Sequence, residues 1–226
     1  MSLLPAVAMG GIIGLVHFFG EELDSYTSRY NFFFASFSAG FTLTYFFSVL
    51  LPETMYNTVF SVRNLPVLGG IALFYVIEEV LYEREENFGE IKYEFKEVHS
   101  VFIGLYHLTI GMMLYFLSST AGDQLLLFFF PVLIHTMVNS LAIKEMHEEI
   151  VDSFPVKLLV SSLTLVGVFV AAGLKPSPQF IYSGLGVLGG CFIYLVVHDS
   201  MDPRKERPIG FLTGLFCFIM LLALIQ

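Results

Sequence analysis

Basic residues are scarce in this chain: 11 Lys and Arg stand against 20 Asp and Glu, a formal net charge of −9. That balance argues against nucleic acid as a partner. Charge of either sign is scarce as well, at 14% of 226 residues, where soluble domains carry about a quarter. Cysteine falls to two residues, Cys191 and Cys217, both inside apolar runs, so no disulfide framework is implied. No lysine lies in the middle of an apolar run (Lys144 stands at the end of one), which disfavours a retinal-binding light-driven pump. HExxH and HxxxH pairs are missing, which counts against an intramembrane zinc hydrolase. The first apolar run lacks a basic n-region and seven more follow it, so it does not read as a signal peptide.

What is present is apolar: 56% of residues are hydrophobic and the mean hydropathy is +0.76. A helix needs about 20 apolar residues to cross the hydrocarbon core. Eight runs approach that length, at roughly 3–20, 31–52, 65–82, 98–118, 124–143, 156–174, 179–198 and 208–225. The loops between them leave no room for a soluble domain. A β-barrel would show short alternating segments instead. The expected fold is all-α and integral to the membrane: eight transmembrane helices forming one domain over 1–226.

Lysine and arginine set the orientation. The loops after spans one, three, five and seven hold Arg29; Arg84, Lys92 and Lys96; Lys144 and Lys157; and Arg204, Lys205 and Arg207. The opposite loops hold only Arg63 and Lys175. Both termini are therefore expected on the non-cytoplasmic side of a multi-pass protein. In that topology spans 1–3 and 6–8 begin on opposite sides, so any repeat relating them is inverted. A short echo exists: Gly40 precedes Pro52 and Glu53 at the spacing by which Gly190 precedes Asp202 and Pro203. Inverted repeats are a habit of secondary transporters.

The loop after span three is dense in charge, with eight Glu from Glu78 to Glu97. Glu90 with Glu94, and Lys92 with Lys96, would be like-charge i,i+4 pairs on a helix. EIKYEFKE alternates polar and apolar residues, which predicts a short extended connector on the interface.

Ionisable and ligand-type residues inside spans are costly and point to function. His99 and Ser100 open span four, in HSVFIGL, and His107 follows eight residues on. That separation sets the two histidines about 80° and roughly 12 Å apart, too far to share one ion easily. His135 and Asn139 in span five are at i,i+4 and share a face. Such residues also act as polar glue between helices, and that reading stays open beside metal ligation, for which imidazole is well suited. His17 with Glu21 and Glu22, His147 with Glu148 and Glu149, and His198 with Asp199 fall near cytoplasmic span ends.

These residues carry a resemblance. HSVFIGL resembles the fourth-helix signature HSVxIGL of the ZIP (Zrt/Irt-like) metal transporters. SAGFTLTYFFSVLLPE (Ser38 to Glu53) is similar to that family's second helix, and GGCFIYLVVHDSMDP to its seventh, with Gly190, Phe192, Tyr194 and Asp199 in place. The resemblance implies a ZIP-like bundle, with inverted three-helix repeats (1–3 and 6–8) around helices 4 and 5. It also implies transport of zinc or another divalent transition metal toward the cytoplasm, with the metal as cargo rather than cofactor. By the match, His99 and Ser100 take the fourth-helix ligand positions, and His135, Thr136 and Asn139 lie in the fifth-helix motif, HQxxEG or HExPxE. The partners expected are a divalent metal ion and the lipid bilayer, with a homodimer one option for an oligomeric state that the sequence leaves open, and no enzyme activity is implied.

Departures from the pattern are specific. Thr136 replaces Gln or Glu, Asn139 replaces Glu, Ser140 replaces Gly, and Val49 takes the histidine position of the second helix. Two histidines remain and the central carboxylate is lost. A divalent ion in a low-dielectric site needs nearby negative charge, so weak binding is expected unless Glu53, Glu78 or Asp199 reaches in. A non-transporting relative acting as a sensor or scaffold is the second reading. An intramembrane metal-dependent hydrolase is the third.

Overall fold

The structure is a computed structural model that describes residues 3–27, 31–60, 62–88, 92–120, 122–146, 154–200 and 207–225. Side chains are described for 3–19, 32–60, 62–77, 79, 104–120, 122, 124–138, 157–194, 196–197 and 207–225. Everything described is helix or short connection. The elements are α1 (Leu3–Thr27), α2 (Asn31–Tyr45), a π-helical turn (Phe46–Leu50), α3 (Leu51–Asn57), α4 (Leu65–Phe88), α5 (Lys92–Thr120), α6 (Gly122–Met146), α7 (Phe154–Leu174), α8 (Pro178–Ser200) and α9 (Pro208–Ile225). The run α2–π–α3 is one continuous rod, so the elements form eight rods, and α5 and α6 are the fourth and fifth of them.

Three helices are long and apolar enough to cross a membrane: Phe32–Asn57, Lys157–Leu174 and Pro208–Ile225. Shorter apolar helices cover Leu3–Phe19, Leu65–Ile77 and Gln124–Val138. The outer face of α9 exposes Leu212, Phe216, Ile219, Met220 and Leu224, a surface that water would penalise and lipid would not. Two sequence expectations change. The extended connector is absent over 92–97, where α5 is already helical. A like-charge i,i+4 pair costs only about 0.2–0.5 kcal/mol, while extending an existing helix is easy for Glu and Lys. Likewise α1 continues to Thr27, so His17 lies inside a helix, well short of its end.

Small residues set how closely the rods pack. Neighbouring helices in lipid gain by van der Waals contact, so glycine at a crossing brings backbones together. A Cβ on Gly40 of α2 would strike the Phe211 carbonyl oxygen of α9, and one on Gly214 would strike that of Phe37. The same reciprocal arrangement joins α4 to α8: Gly70 abuts the Val187 carbonyl and Gly190 that of Val67. The Cys191 thiol also donates to the Gly70 carbonyl oxygen at 3.3 Å. Residue pairings give the directions. Phe33 meets Gly210 and Phe37 meets Gly214, so α2 and α9 run parallel; Pro66 meets Gly186 and Ile71 meets Gly190, so α4 and α8 do too. By contrast Phe46 packs on Gly189 while Thr54 packs near Gly186, an antiparallel pairing of the second rod with α8.

The π turn has a local cause. Pro52 lacks an N–H, and in a regular helix its ring would clash with the carbonyl four residues back. Widening the preceding turn relieves that clash, and the Leu51 N–H accordingly reaches five residues back to the Phe46 oxygen. Pro131 also lies inside a helix, but α6 runs through it without a break from Gly122 to Met146.

Candidate functional site

The π turn and Pro131 border one cavity of about 40 Å³ between the second rod, α5, α6 and α8. Phe46, Leu50, Tyr106, Pro131 and Phe192 are among its lining residues, and its walls are apolar. Thr42 also borders it, but its hydroxyl donates to the Ser38 carbonyl oxygen of its own helix at 2.7 Å. Such walls offer a hydrated cation no ligand.

His135 lies one turn beyond Pro131 on α6 and is buried. Its ring meets the ring of Phe192 on α8 at 4.1 Å, edge to face, and that of Tyr106 on α5 at 6.2 Å. Tyr106 and Phe192 are themselves stacked, 6.5 Å apart and 8° from parallel. Because both aromatics also line the cavity, they separate it from the histidine. Three helices thus converge on His135, with Thr136 buried beside it in the chain.

His107, the next residue after Tyr106, points to the other side of α5. Its Nδ1 lies 3.1 Å from Oγ1 of Thr164 on α7, with both residues buried. Its ring also contacts His17 of α1, at 4.7 Å between centroids and 51° between planes. Close packing makes this possible. Gly111 of α5 abuts the Thr164 carbonyl, and Gly167 of α7 abuts that of Leu108.

Of the residues expected to bind metal, His135 and Thr136 are described in full. Positions 99, 100 and 139 are helical, but the side chains of His99, Ser100 and Asn139 lie outside the described residues. Seven residues, about 10 Å of helix axis, separate position 99 from Tyr106. Among the carboxylates considered as substitutes, Glu78 and Asp199 have side chains outside the described set. Glu53 is described and is engaged elsewhere: its Oε1 accepts from Gln124 Nε2 at 3.0 Å and its Oε2 from Asn57 Nδ2 at 3.1 Å. Gln124 is eleven residues from His135, about 16 Å along α6. Among the described residues no three His, Cys, Asp or Glu side chains are grouped so as to hold a metal ion. The polar clusters expected near cytoplasmic span ends, Glu21 and Glu22, His147 to Glu149, and His198 with Asp199, also fall outside the described side chains.

Sequence reading missed two things. The π turn had a signal in Pro52, directly before Glu53. The His17–His107 contact had none, because it depends on how α1 and α5 dock and no spacing within either helix encodes that. Comparison with known proteins adds no further constraint: no family model matches the chain, and no curated protein matches it.

Proposed function

We propose that this chain is a divergent ZIP-like transporter that moves divalent transition-metal cations of the zinc or iron type through the bilayer toward the cytoplasm. The metal positions are His99, Ser100, His135, Thr136 and Asn139, along α5 and α6. All eight rods span, and both termini lie on the non-cytoplasmic side. The observation that carries the reading is His135, a buried imidazole where α5, α6 and α8 converge, one turn beyond a proline inside α6. Irregular helix geometry near a central site, here the π turn of the second rod, is a recurring transporter feature. The inverted repeat is supported by the reciprocal glycine crossings. Exchanging spans two with seven and eight with three carries the α2–α9 crossing onto α8–α4, and Gly40 onto Gly190.

Neutral ligands give weak binding, which suits conduction because a transported ion must also leave. Zinc uptake into proteoliposomes tests the reading. Wild type takes up Zn²⁺, and the double variant His99→Ala with His135→Ala lowers the rate by at least tenfold, on the order expected for losing two ligands. Unchanged uptake in the double variant overturns the assigned site. The engagement of Glu53 with Gln124 and Asn57 favours one alternative, a relative that keeps the fold without transport. It predicts no uptake by wild type and no rise in Tm with metal.

A further inference from the structure

His17, His107 and Thr164 form a polar cluster that the proposed path does not use. It joins α1, α5 and α7, on the side of α5 away from His135. We propose that His17 and His107 form a second metal site, for one tetrahedrally coordinated borderline ion such as Zn²⁺ or Co²⁺, with Thr164 positioning the His107 ring.

Geometry comes first. With Zn–N near 2.0–2.1 Å, two imidazole centroids on one tetrahedral ion lie roughly 5 Å apart. The observed separation is 4.7 Å with the planes inclined at 51°, neither a parallel stack nor the wide spacing of a linear two-coordinate ion. The second element is orientation. A metal-bound histidine characteristically donates its other ring N–H to a neighbouring acceptor, which fixes the tautomer. Nδ1 of His107 faces Thr164 Oγ1 at 3.1 Å. With the proton on Nδ1, the Nε2 lone pair is left for the ion. Thr164 is itself fully buried and its helix is locked to α5 through Gly111 and Gly167, so this orientation is rigid.

The third element is access and charge. His107 is 3% exposed, whereas His17 is only half-buried. An ion held between them keeps water on the His17 side, which completes its tetrahedron and lessens the cost of burying its charge. Nearby, the Lys157 ammonium lies over the Phe18 ring at 5.4 Å, a positive charge that weakens the site. The outcome is a reversible site of modest affinity, separate from the path along α5 and α6.

The test uses the full-length chain in detergent, with Co²⁺ as a spectroscopic probe and Zn²⁺ titrated by calorimetry, in the His99→Ala with His135→Ala background, which removes both histidines of the path. That background still shows Co²⁺ absorption in the visible region with nitrogen ligation, and binds one Zn²⁺ at this site. Adding His17→Ala, a change at the half-buried and more tolerant member of the pair, abolishes the Co²⁺ band and weakens Zn²⁺ binding at least tenfold. Adding Thr164→Val instead weakens it about 10–100-fold, the range for loss of an outer partner of a metal ligand. If His17→Ala leaves both the spectrum and the Zn²⁺ isotherm unchanged, the two imidazoles are an interhelical contact only and the proposal fails. Loss of transport in the double variant His99→Ala with His135→Ala bears on the path and leaves this result untouched.

Discussion

Two adjacent residues on α5 face different surroundings. Tyr106 faces α6 and α8, where it meets His135 and stacks on Phe192 at the wall of an apolar cavity. His107 faces α1 and α7, where it meets an imidazole and a hydroxyl across a glycine-lined crossing. Both sides bury a histidine, but they hold it differently. One surrounds it with aromatic edges contributed by two helices, and the other fixes it through a hydrogen bond across a close helix pair. The difference teaches that burial alone does not define a ligand: one imidazole packs against aromatic rings and the other against a second imidazole and a hydroxyl.

The largest effect should come from breaking one of the glycine crossings that bring helix backbones together. Gly70→Leu drives a side chain into the Val187 backbone and is expected to cost about 3 kcal/mol or more, since there is no void to accept it. Thermal unfolding in detergent should show a drop of several degrees or a loss of folded material. Its neighbour sharpens the contrast, because a Cβ at Gly69 meets nothing within 4 Å.

Removing the polar partner on the His107 side comes next. His107→Leu leaves the buried Thr164 hydroxyl without its imidazole and is expected to cost about 1–3 kcal/mol, whereas His107→Leu with Thr164→Val should recover part of that loss. A double variant no more stable than the single one would show that the hydrogen bond contributes little to the crossing. Smaller again is the tie between Glu53 and Gln124. Gln124→Leu removes one hydrogen bond to a half-buried carboxylate, an expected cost of about 1 kcal/mol, read as a modest fall in Tm. The smallest effect is Gly69→Ala, expected within about 0.5 kcal/mol of wild type. A large loss there would mean that α4 packs against something on its Gly69 face.

Much of this architecture was legible in the chain because each rod is built around a long apolar run. The eight runs located the eight rods, and the first and last residues of α9 matched the run at 208–225. Ends read poorly, since polar residues such as those after Gly20 can extend a helix beyond its apolar run at little cost. Reading EIKYEFKE as extended weighted a weak like-charge penalty over the ease of propagating a helix. The echo of Gly40 in Gly190 was visible, and packing supplies its reason, since both residues let a neighbouring backbone approach. His135 was visible as a polar residue in an apolar run. Its aromatic enclosure was not, because Tyr106 and Phe192 come from helices whose mutual rotation no local pattern records.

The π turn before Pro52 has one more consequence. A wide turn inserts roughly one extra residue and so rotates everything beyond it by about 100° relative to a regular helix. The second rod therefore behaves as two half-shafts joined by a coupling. The shaft ahead of the turn keeps its glycine seam against α9, while the shaft beyond it presents Thr54 and Thr58 to α8. Deleting a single residue within Phe46–Leu50 would turn one shaft out of phase with its neighbour while leaving composition and hydropathy almost untouched.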